Sequence, residues 1–317
     1  MKISVVIPCF NVSRHILQLL TTIGPEVSRI YVVDDDCPED SGGLVARECR
    51  DPRVIVLKNP ENLGVGGAVM AGYRHAIADG MDIIVKLDGD GQMDARDLAS
   101  LVAPIVAGDA DYTKGNRFFD LSHIYRMPTA RIIGNAALSF MTKISSGYWD
   151  IFDPTNGYTA ISSRVARRLP MEKISQRYFF ESDILFRLGT LRAVVVDVPI
   201  ESRYADESSG LRISGIIIEF ARKHCRNLCK RIFYNYFLRD MSLASFELLL
   251  GMPLLLFGIV FGATKWSHVM HSGMATPAGT VMLAALPIIV GLNFMLAFLA
   301  YDIANVPKRP LSRLARN

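Results

Sequence analysis

The segment Lys86-Leu87-Asp88-Gly89-Asp90-Gly91-Gln92 sets two carboxylates one residue apart and a carboxamide two residues further on. It closes an apolar run over 81–87 that reads as a strand. From the turn after that strand, Asp88, Asp90 and Gln92 can converge on one hard cation, because oxygen ligands of this kind suit Mg²⁺ or Mn²⁺. Such an ion neutralises a diphosphate leaving group. Aspartate is common in turns after strands, so this pattern alone separates a metal site from an ordinary turn poorly.

Two further segments carry suitable groups. Val32-Val33-Asp34-Asp35 ends another predicted strand with carboxylates that can hold a nucleoside base or ribose hydroxyls, or else cap a helix. Asn62-Leu63-Gly64-Val65-Gly66-Gly67-Ala68 has the composition of a phosphate-cradling loop. It lacks both the G-x-x-x-x-G-K-[ST] and the G-x-G-x-x-G patterns, so it reads as close helix packing beside a nucleotide. The missing dinucleotide fingerprint also excludes a dehydrogenase.

The elements that must position these groups alternate. Strands are predicted over 3–7, 29–33, 54–57 and 81–87, with helices over 14–23, 44–48, 66–78 and 94–107. Alternation of this kind predicts an α/β domain with a mostly parallel sheet, its ligand crevice at the strands' carboxyl ends. Past residue 110 the pattern loosens to a strand over 112–118, a helix over 130–145 and a strand over 193–199.

Residues 241–301 are almost free of charge. Two apolar stretches, 243–263 and 278–300, each have about the 20 residues that cross a bilayer. Glu247 and Asn293 are their strongly polar members, Pro253 and Pro287 their candidate kinks, and Trp266 an interfacial anchor. Ahead of them a helix over 213–238 carries Arg222, Arg226 and Lys230 on one stripe, with Ile217, Ala221, Leu228 and Ile232 on another. A basic amphipathic helix before apolar spans suits anionic headgroups. Lysine and arginine outside the hairpin place both termini and the catalytic domain in the cytoplasm by the positive-inside rule. The run over 3–7 is too short for a signal peptide, and five cysteines without C-x-x-C give no disulfide framework. A net charge of +4 is too small to argue for nucleic acid.

Taken in order, Val-Val-Ile-Pro-Cys-Phe-Asn (5–11), Val-Val-Asp-Asp (32–35), Asn-Leu-Gly-x-Gly-Gly-Ala (62–68), Asp-Gly-Asp-Gly-Gln (88–92) and Glu-Ser-Asp (181–183) resemble family 2 glycosyltransferases of the GT-A fold. The nearest subgroup is the polyprenyl-phosphate sugar transferases, dolichol-phosphate mannose synthases among them. The resemblance implies a GT-A domain over 1–212, an interfacial helix over 213–240 and a transmembrane hairpin with a basic tail over 241–317. It implies a nucleotide-sugar donor, a lipid-phosphate acceptor, a Mg²⁺ or Mn²⁺ cofactor and an inner-membrane location, and it is compatible with a tetramer.

Residue roles follow from the same resemblance. Pro8, Phe10, Asp34 and Asp35 would line the nucleoside pocket. Asp88, Gly89 and Asp90 would meet the donor, and Asp88, Asp90 and Gln92 the metal. Arg117, Arg131 and Arg203 would cradle phosphates, since a guanidinium fork binds them in pairs of hydrogen bonds. Asp90, Arg117 and Asp183 would be catalytic. A sugar-hydroxyl acceptor needs a carboxylate base at Asp183, whereas a phosphate acceptor is already anionic near neutral pH and does not. No Q-x-x-R-W follows Asp183, which argues against a processive synthase. Asp36-Cys37-Pro38-Glu39-Asp40 departs from the family's usual turn after the Asp pair and leaves base preference open.

Overall fold

Among the described residues seven short strands form: β1 (Ile3–Cys9), β2 (Val27–Asp34), β3 (Val54–Lys58), β4 (Ile83–Lys86), β5 (Tyr112–Asn116), β6 (Thr159–Ser162) and β7 (Val195–Pro199), of which β4, β5 and β6 are fully buried. The computed structural model describes residues 1–119, 129–200, 213–272 and 275–314. The strands form one sheet in the order β3-β2-β1-β4-β6-β5-β7. β1 to β4 are parallel, as the alternation predicts. β6 runs antiparallel to both β4 and β5, and β7 is parallel to β5. β6 escapes sequence reading because its four residues are all buried and show no alternation.

β1 runs past the end predicted at residue 7 and takes in Pro8. The strand continues to Cys9 and pairs Pro8 with Val33 of β2. On its other side β4 ends at Lys86, opposite Val6, so the missing proline N–H leaves no ladder bond unmade there. The helix Val65–Ala78 crosses the sheet closely: a Cβ on Gly72 would lie 2.3 Å from the Val6 side chain. The predicted helix over 94–107 splits into a 3₁₀ turn, Ala95–Asp97, and the helix Leu98–Ala107.

The chain divides into two compact units, residues 1–228 with 307–317, and residues 229–306. The predicted helix over 213–238 is α-helical over Ile213–Ile232 and π-helical over Phe233–Arg239. Most of its α-helical part belongs to the first unit, and so does the C-terminal tail. Buried Asp111, at the foot of β5, accepts the backbone N–H groups of Val194, Leu311 and Ser312 at 2.9, 2.8 and 2.9 Å. Arg313 adds an ion pair with Asp109 at 2.8 Å.

The second unit contains the helices Leu243–Ser272 and Ala278–Ala304. Both are long and apolar enough to cross a membrane, each containing an 18-residue stretch with mean hydropathy of 2.1 and 2.3 respectively. The first runs past the expected end at 263 and takes Trp266 into the helix. The two lie antiparallel. A Cβ on Gly291 would sit 2.6 Å from Leu255 N, and one on Gly258 would sit 2.7 Å from Ile288 Cγ1, so small residues let the backbones approach. Beside them, Arg231 makes a buried two-pronged ion pair with Asp302 at 2.6 and 3.0 Å.

Candidate active site

Beyond the carboxyl ends of β1, β2 and β4 lies an opening of about 780 Å³, lined among others by Pro8, Phe10, Asp35, Asp36, Asp88, Gly89, Asp90, Arg177 and Tyr178. The structure therefore gathers Pro8, Phe10, Asp35, Asp88, Gly89 and Asp90 from three strand ends, where a doubly wound sheet places its ligands. Phe10 offers an exposed ring at its rim.

Asp34 is different. It is buried, and its two oxygens accept the N–H groups of Cys37 and Gly42, both at 2.8 Å. It fastens the turn that leads into the helix Ser41–Glu48, close to the capping alternative raised for it, and does not line the opening. Asp35 accepts from Asn59 Nδ2 at 2.7 Å, Leu63 N at 3.1 Å and Gly64 N at 2.6 Å. It thereby orders the glycine-rich segment while still facing the opening. Gly64 has φ +85°, and a Cβ there would meet Gln176 O at 2.8 Å. The next donors, Gly66 N and Gly67 N, reach Gln176 O at 2.7 and 3.2 Å. These amides bind a neighbouring loop instead of a phosphate, in line with the packing reading of that segment.

At the end of β4, Lys86 is 1% exposed. Its ammonium donates to Asp88 Oδ1 at 2.7 Å, Gly157 O at 3.2 Å and Glu181 Oε1 at 3.4 Å. Burial opposes the charge, but Asp88 and Glu181 outweigh it and hold the lysine above its ordinary range. Burial raises the Glu181 carboxyl, and Lys86 offsets only part of that. A Cβ at 157 would fall 2.2 Å from Asp88 Oδ2 and 2.4 Å from Lys86 Nζ, so a larger residue there would displace this pair. Asp90 Oδ1 accepts Gln92 N at 3.0 Å, which closes the turn between them.

The donor set fits a hard cation. Among the described residues no three His, Cys, Asp or Glu side chains form a metal cage. Asp88 and Asp90 nevertheless bring two carboxylates to one opening, a number that suffices for Mg²⁺-type ions when substrate phosphates complete the shell.

Glu181 and Asp183 share the first turn of the helix Phe180–Leu191 but diverge. Glu181 joins Lys86. Asp183 is buried; Oδ1 accepts Asn227 Nδ2 and Oδ2 accepts Ser175 N, both at 2.9 Å, with Arg187 at 3.6 Å. Asp183 is not among the residues lining the opening. This geometry does not suit a proton acceptor that meets the substrate.

Arg117 forks onto Asp153 through Nε and Nη2, both at 2.8 Å, and its side chain stays 30% exposed. Asp153 is held below the usual carboxylate range: burial would raise it, but the Arg117 bonds outweigh that. Arg131 falls on the helix Thr129–Ser146, but its side chain lies outside the described residues, as does all of Arg203. Sequence reasoning missed Lys86, Gly157 and Arg177 and left Glu181 without a role. Lys86 had a legible signal, a lone lysine ending an otherwise apolar strand. Gly157 and Arg177 had none, because chain folding alone brings them there.

Residues 4–169 match the family model for glycosyl transferase family 2. An undecaprenyl-phosphate mannosyltransferase of Micrococcus luteus is 32% identical over 63% of this chain and 83% of its own length. A UDP-N-acetylglucosamine–dolichyl-phosphate N-acetylglucosaminyltransferase of Methanococcus voltae is 26% identical over 76% of this chain and 96% of its own. The glucosyl-3-phosphoglycerate synthase of Mycobacterium tuberculosis, solved with Mn²⁺, UDP and phosphoglyceric acid, superposes with a TM-score of 0.54 at 17% identity. That likeness covers 73% of this chain and 78% of the synthase, and it identifies the sheet described above as the GT-A fold.

Proposed function

We propose, for a chain that belongs to glycosyl transferase family 2, that it transfers a hexose from a UDP- or GDP-linked donor to a membrane polyprenyl phosphate. The observation that carries this reading is the convergence of Asp35, Asp88, Asp90 and Arg177 on one opening in a chain that also bears two apolar spans. The relatives' acceptors, undecaprenyl and dolichyl phosphate, support the acceptor class.

In this reading the nucleoside lies against Pro8, Phe10 and Asp35, and the diphosphate lies toward Asp88, Asp90 and Arg177. A bound Mg²⁺ or Mn²⁺, held by Asp88 and Asp90 with Gln92 nearby, would neutralise charge on the leaving nucleoside diphosphate. An acceptor phosphate oxygen attacks the anomeric carbon as the bond to the diphosphate breaks, which inverts that centre. Lys86 fixes the position of Asp88 through its hydrogen bond at 2.7 Å, so the carboxylate is placed before the donor arrives. The acceptor is already anionic, and this suits an Asp183 whose oxygens are both engaged. Arg117 becomes a phosphate contact through its exposed edge.

Docking of Leu311–Leu314 on the catalytic unit supports a chain whose spans leave and re-enter on one side of the membrane. The positive-inside rule makes that side cytoplasmic. The test is a panel of UDP- and GDP-sugars with Mn²⁺ or Mg²⁺ and undecaprenyl phosphate, using the full chain in vesicles. Label should enter the lipid with at least one donor; failure with every donor defeats the reading.

A further inference from the structure

The helix Ile213–Ile232 turns the wrong residues inward for a simple membrane float. Over 217–228 its buried residues are His224 and Asn227, while Ile217 and Ile218 are 59% and 74% exposed and Arg222 and Arg226 also face outward. A helix that needed only to cover a soluble domain would bury its isoleucines. Here Ile217, Ile218, Arg222 and Arg226 face away, and Phe220, Lys223, His224 and Asn227 make the contacts with residues 179–183.

Those contacts fall on either side of Glu181. On one side Phe179 lies edge-on to the rings of Phe220 and His224, at 5.2 and 4.8 Å between centroids. On the other, Asn227 Nδ2 donates to Asp183 Oδ1 at 2.9 Å. His224 is fixed in turn by Ser145 at 2.8 Å, and burial pushes its pKa down to about 4, so it sits neutral at the interface. Asp183 also holds Ser175 N and so anchors the start of the loop that carries Arg177 and Tyr178 to the opening. One hydrogen bond from this helix thus reaches both sides of the site: Glu181 with its Lys86–Asp88 partners, and Arg177.

We infer that Asn227 is a positioning residue for the transfer reaction, and that through Asp183 it couples the seating of the helix Ile213–Ile232 on lipid headgroups to the placement of Glu181 and Arg177. This rests on the proposed lipid-phosphate transferase reading. Asp183 takes its part as the relay between Asn227 and Ser175 and does not meet substrate. A bilayer that holds the outward isoleucines and arginines holds Asn227 against Asp183 at the same time.

Three variants of the full chain in vesicles test this. Asn227→Ala leaves a buried carboxylate oxygen short of a donor and should lower kcat about 10-fold and also lower the melting temperature, with the donor KM little changed. Asn227→Asp sets two carboxylates against each other and should lower kcat further. Adding Asp183→Asn to Asn227→Asp restores one donor and one acceptor, and should recover kcat to the wild-type range. Hydrogen exchange over residues 175–183 should quicken in both single variants and slow again in the double variant. Unchanged kcat and exchange in Asn227→Ala overturn the inference. A double variant that regains its melting temperature but not kcat overturns it as well. If the wild type transfers no sugar, the functional reading falls, while the exchange measurement still decides whether Asn227 orders this segment.

Discussion

Lys86 and Lys114 sit on either side of Thr159 in one cross-sheet row, Lys86 on β4 and Lys114 on β5, and both are 1% exposed. Each is a lysine buried among carboxylates and carbonyl oxygens. Lys86 meets Asp88, which faces the opening. Lys114 donates to the carbonyl oxygens of Phe152, at 2.6 Å, and of Asp153, and lies 3.6 Å from Asp197, which is held in turn by Asn116 and Phe152 N. Burial lowers Lys114 and its carboxylates only partly offset this, whereas Lys86 is raised. The same residue type therefore serves two ends. An ammonium whose carboxylate partners outweigh its burial holds an acid in place at the opening, and one sealed among carbonyls ties loops to strands.

The comparison breaks most visibly at the ligand side. Asp90→Asn should cut kcat about 10³-fold while the protein stays folded, as followed by labelled-sugar transfer and by loss of Mn²⁺ dependence. Lys114→Met leaves Asp197 buried without its cation, and should cost about 3–5 kcal/mol in denaturant unfolding. Lys86→Met should show the reverse balance, a large loss of kcat with a smaller loss of stability, because Asp88 is 28% exposed and can be solvated. Similar effects of the two lysine variants on stability would erase the distinction.

Asp111→Ala removes one acceptor from three backbone amides and should cost about 2–3 kcal/mol, read as a lower melting temperature and faster proteolysis of the tail after residue 306. The smallest effect concerns pH. Asp153 has a depressed pKa in the folded state, so its contribution is present above the unfolded carboxylate value of 3.8 and is lost as pH falls through the folded one. Arg117→Met removes the partner, so the drop in melting temperature between pH 5 and pH 3 should become shallower than in the wild type.

How much the sequence disclosed follows the same divide. β1 to β4 are legible because each is an apolar run followed by a turn residue with a chemical reason to be there, and Asp88 and Asp90 gain their reading from the order of those motifs along the chain. β6 is not, since four buried residues carry no period. The outward isoleucines of 217 and 218 suited a membrane helix, but its inward face could not be read: His224 and Asn227 look like any polar residues until Phe179 and Asp183 are packed against them. Asp34 and Asp35 look equivalent in the chain. Only the loop geometry separates the one that holds Cys37 and Gly42 from the one that faces the opening.

The central claim is that the nucleophile is a lipid phosphate, and a direct comparison of acceptors tests it. The full chain in vesicles is given a labelled nucleotide sugar with either a polyprenyl phosphate or the matching polyprenol. Label should enter the phosphate lipid alone, with turnover that survives Asp183→Asn to within about 10-fold. Equal labelling of the polyprenol, or transfer only to a sugar hydroxyl and abolished by Asp183→Asn, would contradict that claim.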